Sequence, residues 1–153
     1  MSFYCQQVQA LKENYNIKDH LVEQVVQAKK FIDCNFADRI SLKQMAEEAC
    51  CSKFHFLRLF KTLYGRTPHQ YLTDVRISHA KQLLRSGLPV ADACILTGFE
   101  STSSFKALFK KCTGFTPASY QKNLGNMETI SETRYRFLPF FYSFQKSNFQ
   151  YSK

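Results

Sequence analysis

The segment SLKQMAEEACCSKFHFLRLFKTLYG, residues 41–65, decides the fold because it holds two helical patterns joined by a short turn. The first pattern opens on Ser41 with Gln44 three residues later, which is typical of a capping box at a helix start. The second pattern places its large apolar side chains on one helical face, namely Phe56, Leu59, Phe60 and Leu63. We therefore predict a helix-turn-helix in this segment.

A second copy of the pattern follows in LPVADACILTGFESTSSFKALFKKCTG, residues 88–114. A shift of 49 residues superimposes the two copies, from Ser52 on Ser101 to Tyr71 on Tyr120. The apolar faces that this copy predicts are Val90, Ala93, Cys94 and Leu96 on a short helix, and Phe105, Leu108, Phe109 and Cys112 on a longer one. Two copies in one chain are a much stronger signal than one helical hairpin.

The ends of the longer helices are marked by the same residue types in both copies. Ser52 and Ser101 can cap the helix N-termini, and Gly65 and Gly114 can end the helices in a left-handed residue. A Thr-Pro pair after each glycine then starts another helix.

One long helix is predicted between the copies, over residues 68–85. Its length of about 27 Å is close to the roughly 34 Å between successive major-groove faces of DNA. The apolar residues of this linker helix are Tyr71, Leu72, Val75, Ile77, Ala80, Leu83 and Leu84. One chain could thus place both second helices on the same side of a duplex.

The charge of the chain is concentrated around these motifs. The formal net charge is +9, and residues 41–123 contain twelve Lys and Arg against five Asp and Glu. A basic excess in one folded segment favours an anionic partner such as nucleic acid, the alternative being ordinary solvated lysines.

The cysteines indicate neither a metal site nor a disulfide framework. The sequence has no C-x-x-C motif, and its four histidines have no paired ligand spacing. We expect no metal, no cofactor and reduced thiols in a cytoplasmic protein that joins the nucleoid when bound to DNA, with a thiol sensor at Cys50 and Cys51 as a minor alternative. No apolar run approaches the length of a membrane span.

The sequence resembles the DNA-binding domain of the AraC/XylS family of bacterial transcription regulators. The resemblance covers residues 18–123 and includes G-F-x-S-x-S-S-F at residues 98–105 and the closing G-x-T-P-x-x-Y at residues 114–120. It implies an all-α fold of about seven helices, with two helix-turn-helix units joined by a linker helix. Two positions depart from the family pattern, since Gln121 and Ala107 stand where Arg is common.

The outward strip of the first recognition helix, about residues 52–63, is expected to read bases. Once the apolar face is buried, Phe54, Leu57 and Arg58 project from the opposite side. Apolar atoms there can meet thymine methyl groups, and Arg58 can donate two hydrogen bonds to a guanine. The resemblance places base contacts at the same three positions. The alternative is that Phe54 and Leu57 pack beneath the N-terminal helix or the C-terminal tail.

The second recognition helix, about residues 101–112, carries hydroxyls and lysines instead. We expect base contacts from Thr102, Ser103, Lys106 and Ala107. Phosphate contacts are expected in both copies, from Ser52, Lys53, His55, Lys61, Ser101, Ser104 and Lys110. Because a bidentate Arg discriminates bases better than Ser or Lys, the first unit should select sequence and the second should mainly anchor.

The expected domain organisation follows from these elements. An N-terminal extension covers residues 1–17, which is too short for an additional effector-binding domain. The DNA-binding domain covers 18–123, with helix-turn-helix units at 41–64 and 89–113 around the linker helix at 68–85. An aromatic-rich tail covers 124–153. It can fold back on the helices, offer a partner surface or touch a membrane surface, and we expect it to mediate self-association or docking.

The predicted function is sequence-specific DNA binding at promoters, with double-stranded DNA as partner and RNA polymerase as a second one. The alternative is an architectural DNA-binding protein with little sequence preference. An enzyme using one of the cysteines has little support, because no cysteine has an accompanying His/Asp constellation.

Overall fold

The computed structural model describes residues 19–123, and every regular element in that range is an α-helix. The prediction of an all-α fold with two helix-turn-helix units is confirmed. The N-terminal extension and the aromatic tail lie outside the described residues. The seven helices of residues 19–123 are α1 Asp19–Cys34, α2 Leu42–Glu48, α3 Lys53–Tyr64, α4 Pro68–Arg85, α5 Val90–Leu96, α6 Thr102–Thr113 and α7 Pro117–Lys122.

The first unit packs α1, α2, α3 and the first half of α4 around one core. Phe56 and Phe60 of α3 are fully buried, with ring centroids 5.4 Å apart in an edge-to-face arrangement. Tyr71 of α4 meets Phe60 edge-to-face at 5.6 Å. Burial of each such side chain stabilises the unit by about 1.5–3 kcal/mol, so the inward face of α3 holds this helix in place.

The second unit repeats this arrangement with α5, α6, α7 and the second half of α4. Phe105 and Phe109 of α6 are fully buried with centroids 5.7 Å apart, and Tyr120 of α7 meets Phe109 at 5.4 Å. The predicted faces of α3 and α6 are thus the inward faces, with Leu108 and Cys112 only half-buried at the edge of the second core.

Helix α4 belongs to both units. It spans Pro68–Arg85, as the sequence predicts, and its side chains divide between two separate cores. Val75 is the last α4 residue in the first core, and Ile77 is the first in the second core. The two units therefore share a helix but no continuous hydrophobic core.

The predicted helix ends are confirmed. Ser52 accepts a hydrogen bond from the His55 amide, and Ser101 accepts one from the Ser104 amide. Gly65 and Gly114 end α3 and α6 with φ of 65° and 82°, in the left-handed region that favours glycine.

The inward face of α5 differs from the prediction at one position. Leu96 is 53% exposed, whereas Thr97 is fully buried and its hydroxyl donates to the Ala93 carbonyl oxygen at 2.6 Å. The reason is helical spacing, because Thr97 follows Ala93 by four residues and Cys94 by three and so continues the face that they form. The larger apolar residue points to solvent while a threonine fills the core.

No helix within residues 19–123 is both long enough and apolar enough to cross a membrane.

Candidate nucleic-acid interface

Helix α3, the predicted first recognition helix, exposes the strip that the sequence predicts. Phe54 is 82% exposed, and Arg58 and Lys61 are also exposed. Leu57 is half-buried, so its position between the two faces leaves only part of the side chain available to a ligand. Because so little of the Phe54 ring is buried, it contributes little to the stability of the fold. The ring is therefore available for contact with an apolar partner surface.

Helix α6, the predicted second recognition helix, exposes all of its predicted contact residues. These are Thr102, Ser103, Ser104, Lys106, Ala107 and Lys110. None of them is large and apolar, so the two helices present different chemistry at equivalent positions.

Serine hydroxyl groups lie at the N-termini of both helices, one at α3 and two at α6. Ser52 accepts the His55 amide at 3.3 Å, which leaves the Ser52 hydroxyl hydrogen able to donate outward. Ser101 and Ser104 lie 2.9 Å apart through their hydroxyl oxygens. One hydroxyl hydrogen of that pair is used between them, and the other can donate to an external acceptor such as a phosphate oxygen.

The charge on the two helices has a single sign. Neither α3 nor α6 contains an Asp or Glu, and each contains three basic residues. On α3 these are Lys53, Arg58 and Lys61, and on α6 they are Lys106, Lys110 and Lys111. All six side chains are exposed. Surfaces of this kind raise the local concentration of a polyanion.

Comparison with known proteins assigns the chain to a family. The helix-turn-helix domain model matches residues 45–123, which is slightly more than half of the chain. The bifunctional transcriptional activator/DNA repair enzyme AdaA of Bacillus subtilis is 34% identical over 105 residues, which cover 68% of this chain and 48% of AdaA. The chain belongs to the AraC/XylS family of transcription regulators.

Solved structures share the fold of this AraC/XylS-family chain. The C-terminal domain of AraT, a response regulator from Geobacillus stearothermophilus, has a TM-score of 0.62 and 27% identity, and the match covers 65% of this chain and 84% of that domain. A DNA-binding transcriptional dual regulator from Escherichia coli K-12 has a TM-score of 0.59 and 25% identity, with 65% and 96% covered. Proteins of this family regulate transcription and carry DNA-binding helix-turn-helix domains.

The chain spans about half or less of the length of the curated relatives that it matches. It covers 48% of AdaA, 37% of the probable regulator LumQ and 27% of the regulator YbfI.

Three thiols of this AraC/XylS-family chain, those of Cys51, Cys94 and Cys112, are poor nucleophiles at neutral pH. Burial raises the pKa of both Cys94 and Cys112. The pKa of Cys51 is raised by burial and further by the adjacent Cys50 thiol. A thiol with a raised pKa stays protonated at neutral pH, and the thiolate is the reactive form. Among residues 19–123, no three His, Cys, Asp or Glu side chains group as a metal site would require.

Gln121 replaces the arginine that is common in the family, and it still ties α7 to α4. Its Nε2 donates to the Leu88 carbonyl oxygen at 2.8 Å and to the Leu84 carbonyl oxygen at 3.4 Å. The Leu84 carbonyl oxygen also accepts the Gly87 amide at 3.1 Å, so Gln121 adds a second donor at this helix end.

The sequence analysis did not identify Arg76 and Gly98. Both residues lie where the two units meet, away from the candidate nucleic-acid interface. The signal available in the sequence was weak. Arg76 interrupts the apolar pair Val75 and Ile77, and Gly98 belongs to the G-F turn, but neither pattern identifies a partner. The partners come from a turn about 40 residues away from Arg76 along the chain.

Proposed function

We propose that this chain is a sequence-specific DNA-binding transcription regulator that places α3 and α6 in adjacent major-groove segments of a promoter. The observation that carries the proposal is a pair of exposed helix faces, one in each unit around the linker helix, whose charged residues are all basic. A major groove about 12 Å wide admits an α-helix, and lysines and arginines on that helix neutralise phosphates.

The two ends of α4 provide the spacing that such a site needs. The helix has 18 residues and so is about 27 Å long. Successive major-groove faces on one side of B-DNA lie about 34 Å apart. Because α3 precedes α4 and α6 belongs to the unit at its far end, one chain can address both faces without a partner chain.

Bases are read mainly by α3 in this proposal. Arg58 donates two hydrogen bonds to a guanine, while Phe54 and the exposed part of Leu57 contact thymine methyl groups. Thr102, Ser103, Lys106 and Ala107 of α6 reach base edges in the second groove segment. Phosphates are held by the residues Ser52, Lys53, His55, Lys61, Ser101, Ser104 and Lys110, all of which are exposed.

Selection from a random DNA pool at near-physiological salt tests the proposal. The expected product is an asymmetric site with two blocks about one helical turn apart, the better-defined block lying under α3. Recovery of no motif, together with affinity that falls uniformly as salt rises, would contradict sequence-specific binding.

An architectural role with little sequence preference is the second candidate, and the composition of α6 favours it. The residue at the usual arginine position is Ala107, and the exposed residues around it are hydroxyls and lysines. If α3 behaved like α6, binding would depend on phosphates alone, and the selection experiment would return no motif.

We propose no enzymatic activity for the chain. AdaA is both an activator and a DNA repair enzyme, but the match covers 48% of that protein. Raised pKa values of Cys51, Cys94 and Cys112 support this view. Methyl transfer from damaged DNA to the purified chain would contradict it.

RNA polymerase and a second copy of the chain are the further partners in this proposal. Self-association is assigned to residues 124–153, which carry seven aromatic residues between Phe137 and Tyr151. Deletion of residues 124–153 should then change the oligomeric state in analytical ultracentrifugation, and an unchanged state would remove the tail from the proposal.

A further inference from the structure

The two units contact each other beside α4 as well as through it. Arg76 lies on α4 between Val75 of the first core and Ile77 of the second core. Its side chain reaches the α1–α2 turn, which we define as residues 35–41, in the first unit. It also reaches the α5–α6 turn, residues 97–101, in the second unit.

The contacts of Arg76 with the first unit are two charge-assisted hydrogen bonds. Its Nε donates to the Phe36 carbonyl oxygen at 2.6 Å, and its Nη2 donates to the Asp38 carbonyl oxygen at 2.8 Å. Two donors of one rigid guanidinium group fix both the position and the direction of the turn that they grip. The α1–α2 turn is thereby attached to the middle of the linker helix.

The same guanidinium group touches the second unit. Its central carbon lies 5.7 Å from the centroid of the Phe99 ring, within the range of a cation–π interaction. Phe99 packs on the second core, where its ring lies 5.1 Å from that of Phe105. Arg76 is therefore bonded to the first unit on one side and packed against the second unit on the other.

The two turns also meet directly, backbone against backbone. Gly98 has φ +78°, and a methyl group in place of its hydrogen would lie 2.8 Å from the carbonyl carbon of Ala37 and collide with the Ala37 carbonyl oxygen. Only glycine allows this approach. The contact leaves no space for the turns to move closer together.

Two further pairs surround this contact. The Phe36 ring stacks on the His79 imidazole, with centroids 3.9 Å apart and planes 7° from parallel. Arg39 and Glu100 form an ion pair at 2.7 Å across the turns, although both side chains are largely exposed and the pair adds little. The contacts thus involve α4 and both turns.

We propose that Arg76, the α1–α2 turn and the α5–α6 turn form a clamp that fixes the angle between the two recognition helices and so selects the spacing between the two halves of the DNA site. The proposal rests on the proposed function, because spacing matters only if both helices bind one duplex. A single helix without other support can bend and twist between two separate cores. Contacts away from its axis resist both motions.

The consequence for DNA follows from duplex geometry. Inserting one base pair moves the second block by about 3.4 Å and rotates it by about 34° around the duplex. A clamped protein cannot follow that movement without losing contacts in one groove segment. A protein with a loosened clamp can follow it at lower cost.

The first test measures the clamp in the absence of DNA. Residual dipolar couplings of backbone amides are recorded for the full chain as wild type, Arg76→Met and Gly98→Ala. Arg76→Met keeps the aliphatic stem and removes the donors, and Gly98→Ala introduces the methyl group that the turn cannot accommodate. The matched control is Arg85→Met, which removes the same charge from α4 at an exposed position in the second unit.

For wild type and Arg85→Met, the couplings of residues 19–123 should fit a single alignment tensor. For Arg76→Met and Gly98→Ala, the couplings should require a separate tensor for each unit. A common tensor in Arg76→Met and Gly98→Ala, with the fold retained by circular dichroism, would overturn the clamp. Two tensors in the wild type would overturn it as well.

The second test uses the selected DNA site with its blocks moved apart or together by one base pair. Wild type and Arg85→Met should lose about tenfold or more in affinity, the loss of at least one base contact. Arg76→Met should lose less than about threefold, since a flexibly joined pair of modules tolerates altered spans. Equal spacing profiles for all variants would overturn the spacing role.

The two tests separate this inference from the function on which it rests. If neither wild type nor any variant selects a DNA site from the random pool, both the proposed function and the spacing role fail. The dipolar couplings still decide whether the clamp exists. If a site is selected but the couplings do not change in the variants, the clamp alone fails.

Discussion

Arg58 is the residue whose side chain should separate sequence reading from charge attraction. It is exposed on α3 beside Phe54, the most exposed large apolar residue in the described range. Replacing Arg58 with Ala should cost about 1–3 kcal/mol at the selected site and relax the preference at one base position. Fluorescence anisotropy with the selected duplex and its single-base variants measures both effects.

Lys110→Ala is the matched comparison, because it removes one charge from the exposed face of α6. Affinity for all sequences should fall by a similar factor, and the slope of log K against log salt should flatten by about one. Identical behaviour of the two variants on selected and random DNA would contradict the division between a reading helix and an anchoring helix.

His79 should make the stability of the fold depend on pH. Burial lowers the pKa of His79, and the nearby Asp33 carboxylate offsets part of that effect. The folded state therefore binds fewer protons than the unfolded state in the window just below the ordinary value of about 6.5. Its contribution to the free energy of unfolding is present at neutral pH and is lost as pH falls through 6.5 toward the lowered value.

The variant His79→Phe should remove this dependence while preserving the stack on Phe36. Urea unfolding at pH 7.5 and 5.5 should show a larger loss of stability for the wild type than for the variant. Other histidines contribute equally to both proteins, so the difference isolates His79. Parallel losses in the two proteins would argue against this role of the half-buried imidazole.

At the scale of the element, we predict that Ser52 has two functions at one helix start. Its hydroxyl caps α3 by accepting the His55 amide, and its hydrogen can donate to a phosphate. Ser52→Ala should lower the free energy of unfolding by about 0.5–2 kcal/mol and weaken DNA binding. Thermal unfolding and anisotropy measure the two losses.

Ser52→Asp distinguishes these functions. Aspartate is a good N-cap and its charge suits the helix N-terminus, so stability should be retained. Binding should nevertheless fall, because a carboxylate would then face the phosphates. Unimpaired DNA binding by Ser52→Asp would exclude Ser52 from the interface.

At the scale of the whole molecule, the separate cores predict separate responses to core mutations. Phe56 and Phe105 are fully buried equivalents in the two units. Replacing either with Ala should cost about 3–5 kcal/mol. Hydrogen exchange should accelerate mainly in α2 and α3 for Phe56→Ala, and mainly in α5, α6 and α7 for Phe105→Ala. Equal acceleration in both units for each variant would show that they unfold as one.

The sequence by itself determined the helices and their inward faces. Capping residues, glycines at left-handed positions and apolar residues at helical spacing act over a few neighbouring residues, so α3, α4 and α6 could be predicted closely. The exposed strip around Arg58 followed from the same periodicity, since residues opposite a buried face must point outward. The exposure of Leu96 in place of Thr97 shows the limit, because two neighbouring residues compete for one inward position at a helix end.

Only the tertiary structure decided how the two units are joined. In the sequence, Arg76 is only a polar residue within a predicted helix. Folding brings the Phe36 and Asp38 carbonyl groups within hydrogen-bonding distance of its side chain. The sequence does not distinguish Gly98 from the other turn glycines. The structure does, because the Ala37 backbone packs directly against Gly98. Local pattern cannot reveal these contacts, because their partners are about 40 to 60 residues away along the chain and depend on how both cores pack on α4.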